Sequence, residues 1–169
     1  MASSFPGTMN PTALLFPAVE RQAIDYSAIY TEHCHRIYSL AFWLTDNELL
    51  AEELSKNTFL RVFAGEQTEP HHVDRAFLTE VRENFAIGNL TLSVTPSQAQ
   101  GVRANIKRVH LERAVVQLPA TEKLIFLFHD VEGYAHERIA RLLGISENES
   151  RNGLHQARLQ VRELVAQEL

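Results

Sequence analysis

From Tyr26 onward the chain repeats its apolar residues every three or four positions, and this spacing is the strongest constraint on its fold. Tyr26, Ile29, Tyr30, His33, Ile37, Leu40, Ala41 and Leu44 form the first such stripe, the pattern of a helix that buries one face. A second helix is expected through Leu50, Leu54, Thr58 and Val62 to about Phe63, opened by Thr45 and Glu48 as a capping box. A turn-rich stretch from Gly65 to His72, with Pro70, separates it from a third helix on Phe77, Leu78, Val81 and Phe85. In the second half Val102, Ile106, Val109, Arg113 and Val116 keep helical spacing to Leu118, where Pro119 opens another helix as a first-turn proline. That helix carries Leu124, Ile125, Leu127, Phe128 and Val131 and stops at Gly133. No segment alternates with the period of a strand, so the expected class is all-α.

The period lapses in two places, and these divide the chain. Residues 1–21 hold Pro6, Pro11 and Pro17 with no helical spacing and read as a flexible N-terminal tail. Around Pro96 the spacing fails again, so residues 91–101 read as a linker between helical domains at 22–90 and 102–169.

Composition narrows the function classes. Sixteen Lys and Arg against twenty-one Asp and Glu give a net charge of −5, which argues against a protein that coats nucleic acid by charge alone. The charge is −6 over residues 20–90, +3 over 91–109 and −2 over 110–169, so neither helical half is basic. One cysteine, Cys34, excludes an internal disulfide and a cysteine zinc site and suits a reducing cytosol; its expected role is that of a small core hydrophobe. The first basic residue is Arg21, so no signal peptide is expected. Apolar runs such as Leu124 to Phe128 are far shorter than the roughly 18–20 residues that span a bilayer. A cytoplasmic protein without membrane insertion is the expectation.

The most informative local pattern lies at residues 136–158. A short helix to Leu143 ends at Gly144, and Ser146 then caps a long helix with Ser150, Leu154, Ala157, Val161 and Leu164 on one face. Ala140, four before Gly144, lets the two helices approach, and the glycine permits the positive φ of a tight turn. This is the plan of a helix-turn-helix, which presents its second helix to the DNA major groove; an ordinary helical hairpin has the same plan.

The wider context resembles a known family. Leu118-Pro119, an aliphatic helix ending in Glu132-Gly133, then Ile139-Ala140, Leu143-Gly144-Ile145-Ser146 and Leu154-His155 with Ala157-Arg158 are similar to the promoter-reading C-terminal domain of sigma factors of the extracytoplasmic function (ECF) type, in the sigma-70 family. In the first half, Asp46 to Phe63 resembles the segment of the second sigma domain that grips core RNA polymerase, and Phe77-Leu78 to Asn84 resembles its promoter-melting helix. The resemblance covers about residues 22–168.

It implies a transcription initiation factor that binds core RNA polymerase and directs it to promoters, with an anti-sigma factor as a further partner, no cofactor and no catalytic residue. Glu52, Glu53, Leu54, Lys56, Asn57, Phe59 and Leu60 would then face the polymerase clamp. Ser146, Arg151, Asn152, His155 and Arg158 would face the upstream promoter element. Arg82 and Asn84, with the loop Glu69 to Asp74, would lie near the melted strand, whose bases must be held singly.

Departures from the family pattern matter as much. Glu80 and Glu83 stand where the melting helix usually has basic residues, and Thr79 where it has an aromatic one. Glu149, Ser150, Arg151, Asn152 and Gly153 replace Thr, Val, Lys, Ser and Arg, and Gln156 replaces an arginine. Gly153 and Gln156 are assigned to the outward side of the helix, away from Leu154 and Ala157. Glu149, three after Ser146, also fits a capping box. These changes keep open a second function, a sigma-like decoy or adaptor that binds polymerase or an anti-sigma factor with weak promoter recognition. The pairs His33/His35, His71/His72 and His129/His136 lack the i, i+4 spacing and companion carboxylate of a helical metal site, so no metal-dependent hydrolase and no metal is expected.

Overall fold

A computed structural model describes residues 24–65, 71–96 and 107–168 of the chain. The tail expected at 1–21, the first helical positions expected at Val102 and Ile106, and part of the linker therefore lie outside the described residues. All regular structure among the described residues is helical. The helices are α1 (Tyr26–Thr45), α2 (Glu48–Ala64), α3 (His72–Asn84), α4 (Arg108–Val116), α5 (Ala120–Phe126), α6 (His136–Leu143) and α7 (Glu147–Gln167), and a π-helical turn, Leu127–Val131, extends α5.

Local chemistry sets most of the ends. Asp25 caps α1 by accepting from Ala28 N–H at 3.0 Å. The N-cap of α2 is Asn47, which accepts from Leu50 N–H at 3.1 Å, rather than the capping box expected of Thr45 and Glu48. The Thr45 hydroxyl instead donates back to Ala41 C=O at 2.8 Å and closes the last turn of α1, a backbone-directed bond open to threonine one turn on. Ser146 and Glu149 form the expected capping box on α7: Glu149 N–H donates to Ser146 Oγ, and the Glu149 carboxylate accepts from Ser146 N–H at 2.7 Å.

Helix α2 packs between α1 and α3, and α7 packs against α4, α5 and α6. The inward stripes are those read from spacing: Ile37, Leu40, Ala41 and Leu44 on α1, Ala51, Leu54, Thr58 and Val62 on α2, and Leu154, Ala157, Val161 and Val165 on α7 are buried. The two helical groups also touch through α1 against α4 and α5, and α3 against α6, so their apolar side chains join in one buried cluster.

Polar groups pin this contact. Asp74 of α3, only 2% exposed, receives Arg36 of α1 and Arg138 of α6, each at 2.6 Å. Tyr134 donates its hydroxyl at 3.1 Å to the Asp74 oxygen that also receives Arg138, and accepts from Arg36 at 2.9 Å. Burial works to raise the Asp74 carboxyl, but Arg36 and Arg138 outweigh it and hold the group below its ordinary value. Tyr134 is pushed up to about 12, by burial first and then by the Asp74 charge. Lys123 of α5 reaches Val116 C=O at 2.6 Å and Leu44 C=O of α1 at 3.5 Å.

Candidate nucleic-acid interface

The helix-turn-helix is built as its residue pattern requires. Gly144 takes φ +73°, and its N–H and that of Ile145 both return to Ala140 C=O at 2.9 and 3.0 Å. This left-handed stop turns the chain into α7 with no Cβ penalty. His136 of α6 meets the buried Ser150 hydroxyl of α7 at 2.9 Å and fixes the two helices to each other. Its ring stacks on His129 with centroids 4.6 Å apart. Burial, and then the neighbouring His129, hold the His136 imidazole below its ordinary value.

With Ser150, Leu154 and Ala157 turned inward, α7 presents Arg151, Asn152, His155 and Arg158 to solvent, and Ser146 stands exposed at its N-cap. The sequence-derived set thus lies together on one face. Its two arginines are engaged at the surface: Arg151 with Glu147 at 3.1 Å, and Arg158 in a forked pair with Asp130 at 2.6 and 3.0 Å. Among the described residues Asn152 and His155 make no side-chain hydrogen bond. The Glu149 carboxyl is held below its ordinary value by the Ser146 N–H and hydroxyl, so its charge serves the cap.

Two assignments on α7 are corrected. Gly153 is buried: a Cβ there would sit 2.6 Å from Ile125 Cδ1 and 2.8 Å from Leu90 Cδ2. Gln156 is half-buried and accepts from Val94 N–H at 2.5 Å. Both face the segment that follows α3, not solvent; a spacing argument that considers one helix alone does not register a non-helical segment lying beside it.

The α3 set is arranged differently. Glu80, 5% exposed, pairs with Arg61 of α2 at 2.6 Å, and Glu83 shares the same guanidinium at 2.9 Å. Arg82 donates to Leu142 C=O of α6 at 2.9 Å, and Asn84 donates to Glu80 C=O at 3.0 Å at the end of its own helix. Of the loop Glu69 to Asp74, Glu69 and Pro70 lie outside the described residues; His71 is the N-cap of α3 with φ +66°, and Asp74 is the buried ion-pair centre.

On α2, Glu52, Glu53, Lys56 and Leu60 are exposed, Leu60 at 56%, and Asn57 is half-buried. Leu54 and Phe59 are buried, which corrects their placement on the outward face. Leu54 shares the inward stripe with Ala51 and Thr58, and Phe59 turns edge-on to Tyr30 of α1 at 4.9 Å. Along the outer seam of α1 and α2 runs a groove of about 620 Å³ lined by Tyr30, Cys34, Tyr38, Lys56, Phe59 and Leu60, so Cys34 is half-buried on its wall. No group of three or more His, Cys, Asp or Glu among the described residues is arranged to hold a metal ion, and no described helix is long and apolar enough to cross a membrane.

Comparison with known proteins agrees with this geometry. Residues 108–161 match the family model for sigma-70, region 4, so α4 to α7 are a helix-turn-helix unit of the sigma-70 kind. The chain is 29% identical to the ECF RNA polymerase sigma factor SigL of Mycobacterium tuberculosis, covering 90% of this chain and 94% of that one. It is 26% identical to the ECF RNA polymerase sigma factor SigE of Mycolicibacterium smegmatis, again over 90% of this chain but spanning only 66% of that relative's length. In structure it is similar to the sigma factor RpoE from Bartonella quintana, solved in complex with the anti-sigma factor NepR, with a TM-score of 0.59 at 16% identity over 84% of this chain and 97% of that one. Residues 108–161 thus carry the sigma-70 region 4 match, and over 90% of its length the chain is similar to sigma factors of the ECF type.

Proposed function

We propose that the chain is a transcription initiation factor that binds core RNA polymerase and directs it to promoters. The observation that carries this reading is the helix-turn-helix α6–Gly144–α7, whose second helix turns Arg151, Asn152, His155 and Arg158 to solvent on one face within the region 4 match. Phosphates would be held by the α7 N-terminus and the arginines, and base edges by Asn152 and His155. On the first group, the exposed Glu52, Glu53, Lys56, Asn57 and Leu60 beside the α1–α2 groove form the polymerase-facing surface. An anti-sigma factor is a further partner on this reading, as for the structural relative. The protein acts by binding in the cytoplasm, not by catalysis, through domains at 22–90 and 102–169 joined by residues 91–101.

The acidic departures lose much of their weight as evidence for a decoy. Glu80 and Glu83 neutralise Arg61, and Glu149 closes a helix cap, so each has a structural partner of its own. Core-polymerase pull-down combined with run-off transcription on genomic fragments tests the reading. The expected result is association together with specific transcripts; association without transcripts would select the decoy. Asn57→Arg and Leu60→Asp should each abolish association while the helical circular dichroism is kept, and survival of association in both would move the interface elsewhere.

A further inference from the structure

Residues 86–96 have no regular structure, yet four of their main-chain donors are taken up by side chains of the C-terminal helices. Gly88 N–H donates to Thr121 Oγ1 at 3.1 Å. Thr91 and Leu92 N–H both donate to the same Glu122 oxygen, at 2.5 and 2.7 Å, and Val94 N–H donates to Gln156. Glu122 is fully buried, and its second oxygen has no partner, so this carboxylate depends on the segment for its hydrogen bonds. Leu90 drops into the space that Gly153 leaves empty. The slot is therefore made from Thr121 and Glu122 of α5 and Gly153 and Gln156 of α7, and it includes two of the positions where α7 departs from the family pattern. An arginine at either would fill or discharge it.

The same closed arrangement holds α3 against α6. Arg82 is bound to Leu142 C=O, and Asp74 is clamped between Arg36 and Arg138. Residues 88–94 follow α3 directly, so their seating on α5 and α7 ties the end of α3 to the helix-turn-helix.

We propose that residues 88–94 are a strap that, seated in the Glu122–Gly153–Gln156 slot, keeps the chain closed with Arg82 occupied, and that the strap must leave before α3 can receive the melted promoter strand. The proposal rests on the initiation-factor reading of α3. Its release is close to all-or-none. A buried carboxylate that loses one of its two amide donors is left under-solvated, so the donors depart together and water enters. Closure by the strap is thus a barrier within the chain itself, separate from any partner that covers it.

Amide hydrogen exchange on the full chain, together with permanganate footprinting of promoter opening on the genomic fragments that the holoenzyme transcribes, tests it. Wild-type amides of Thr91, Leu92 and Val94 should be protected despite lying outside any helix. The strap variant Leu90→Gly/Leu92→Pro removes the side chain over Gly153 and one donor to Glu122 without touching a helix. The slot variant Gln156→Ala removes the acceptor from the other side. Each should release the remaining strap amides together and speed promoter opening by about tenfold, the scale of one lost hydrogen bond to a charged or buried partner. Wild-type strap amides that exchange at unstructured rates overturn the proposal. So does unchanged opening by a variant that still binds polymerase and has released its strap. Failure of wild type and variants alike to associate with polymerase would overturn the initiation-factor reading itself, and the gate with it.

Discussion

Helices α3 and α7 were assigned the same task from their residues, contact with promoter DNA, and the structure treats them in opposite ways. On α7 the polar face is turned to solvent, and its ion pairs, Arg151–Glu147 and Arg158–Asp130, lie at the surface. On α3 the polar residues are built into the protein: Asp74 and Glu80 are buried in ion pairs, and Arg82 is bonded to another helix. An unusual charge therefore has different meanings on the two helices. On α7 it alters a surface, whereas on α3 it marks an internal contact.

The sharpest way to break this comparison is to remove Asp74. Asp74→Ala leaves Arg138 without its carboxylate and Arg36 with only the more distant Glu132 at 4.0 Å, and loss of one partner from a buried pair costs about 3 kcal/mol. Urea unfolding should show this, whereas Glu137→Ala, which breaks an exposed pair with Arg141, should change stability by less than about 0.5 kcal/mol. Arg82→Ala should cost about 1 kcal/mol through the lost bond to Leu142 C=O, and Asn152→Ala on α7 should cost almost nothing by the same measurement.

DNA affinity should respond in the reverse order. Asn152→Arg adds a cation on the exposed face of α7 and should steepen the salt dependence of duplex binding by about one unit, with tighter binding. Gly153→Arg should instead lose stability, because its side chain meets Ile125 and Leu90. A Gly153→Arg protein that is stable and binds DNA more steeply would show that position 153 faces outward after all.

The smallest expected effect is on pH. His33 and His136 are both held below the ordinary histidine value, His33 by burial and then by Arg36. In the window between their lowered values and about 6.5 the unfolded chain binds more protons than the folded one, so stability should fall as pH drops through that window. Glu132, raised by burial, acts in the opposite sense at lower pH, in the window just above the ordinary carboxylate value. Melting temperatures from pH 7.5 to 5.5 should decline slightly for the wild type and less for His33→Gln/His136→Gln.

How far the sequence could be read follows from the range of each interaction. Helix stripes, the Gly144 turn and the Ser146–Glu149 cap are set within a few residues, and all were legible. The expected Thr45 cap failed because Asn47, two residues on, offers its side chain at the actual N-terminus. Contacts between residues far apart in sequence leave no periodic trace. Arg82 meets Leu142, Asp74 meets Arg138, and Val94 meets Gln156 across about sixty residues or more. For that reason the spacing of α7 alone does not register residues 88–94 beside Gly153 and Gln156, while the exposure of Arg151, Asn152, His155 and Arg158 follows from the inward stripe of the same helix.

The π-helical turn has a consequence for chain length. Its wide loop closes Glu132 N–H onto Leu127 C=O at 3.0 Å, five residues back, where an α-helix would reach back four. It therefore contains one residue more than regular helix needs, so the loss of one of 127–131 would let the turn close as α-helix with the residues on either side still in register. A relative one residue shorter at this point can keep the contacts that follow, such as Tyr134 with Asp74, so a single-residue gap here in an alignment would signal a turn without the π bulge rather than a differently wired protein.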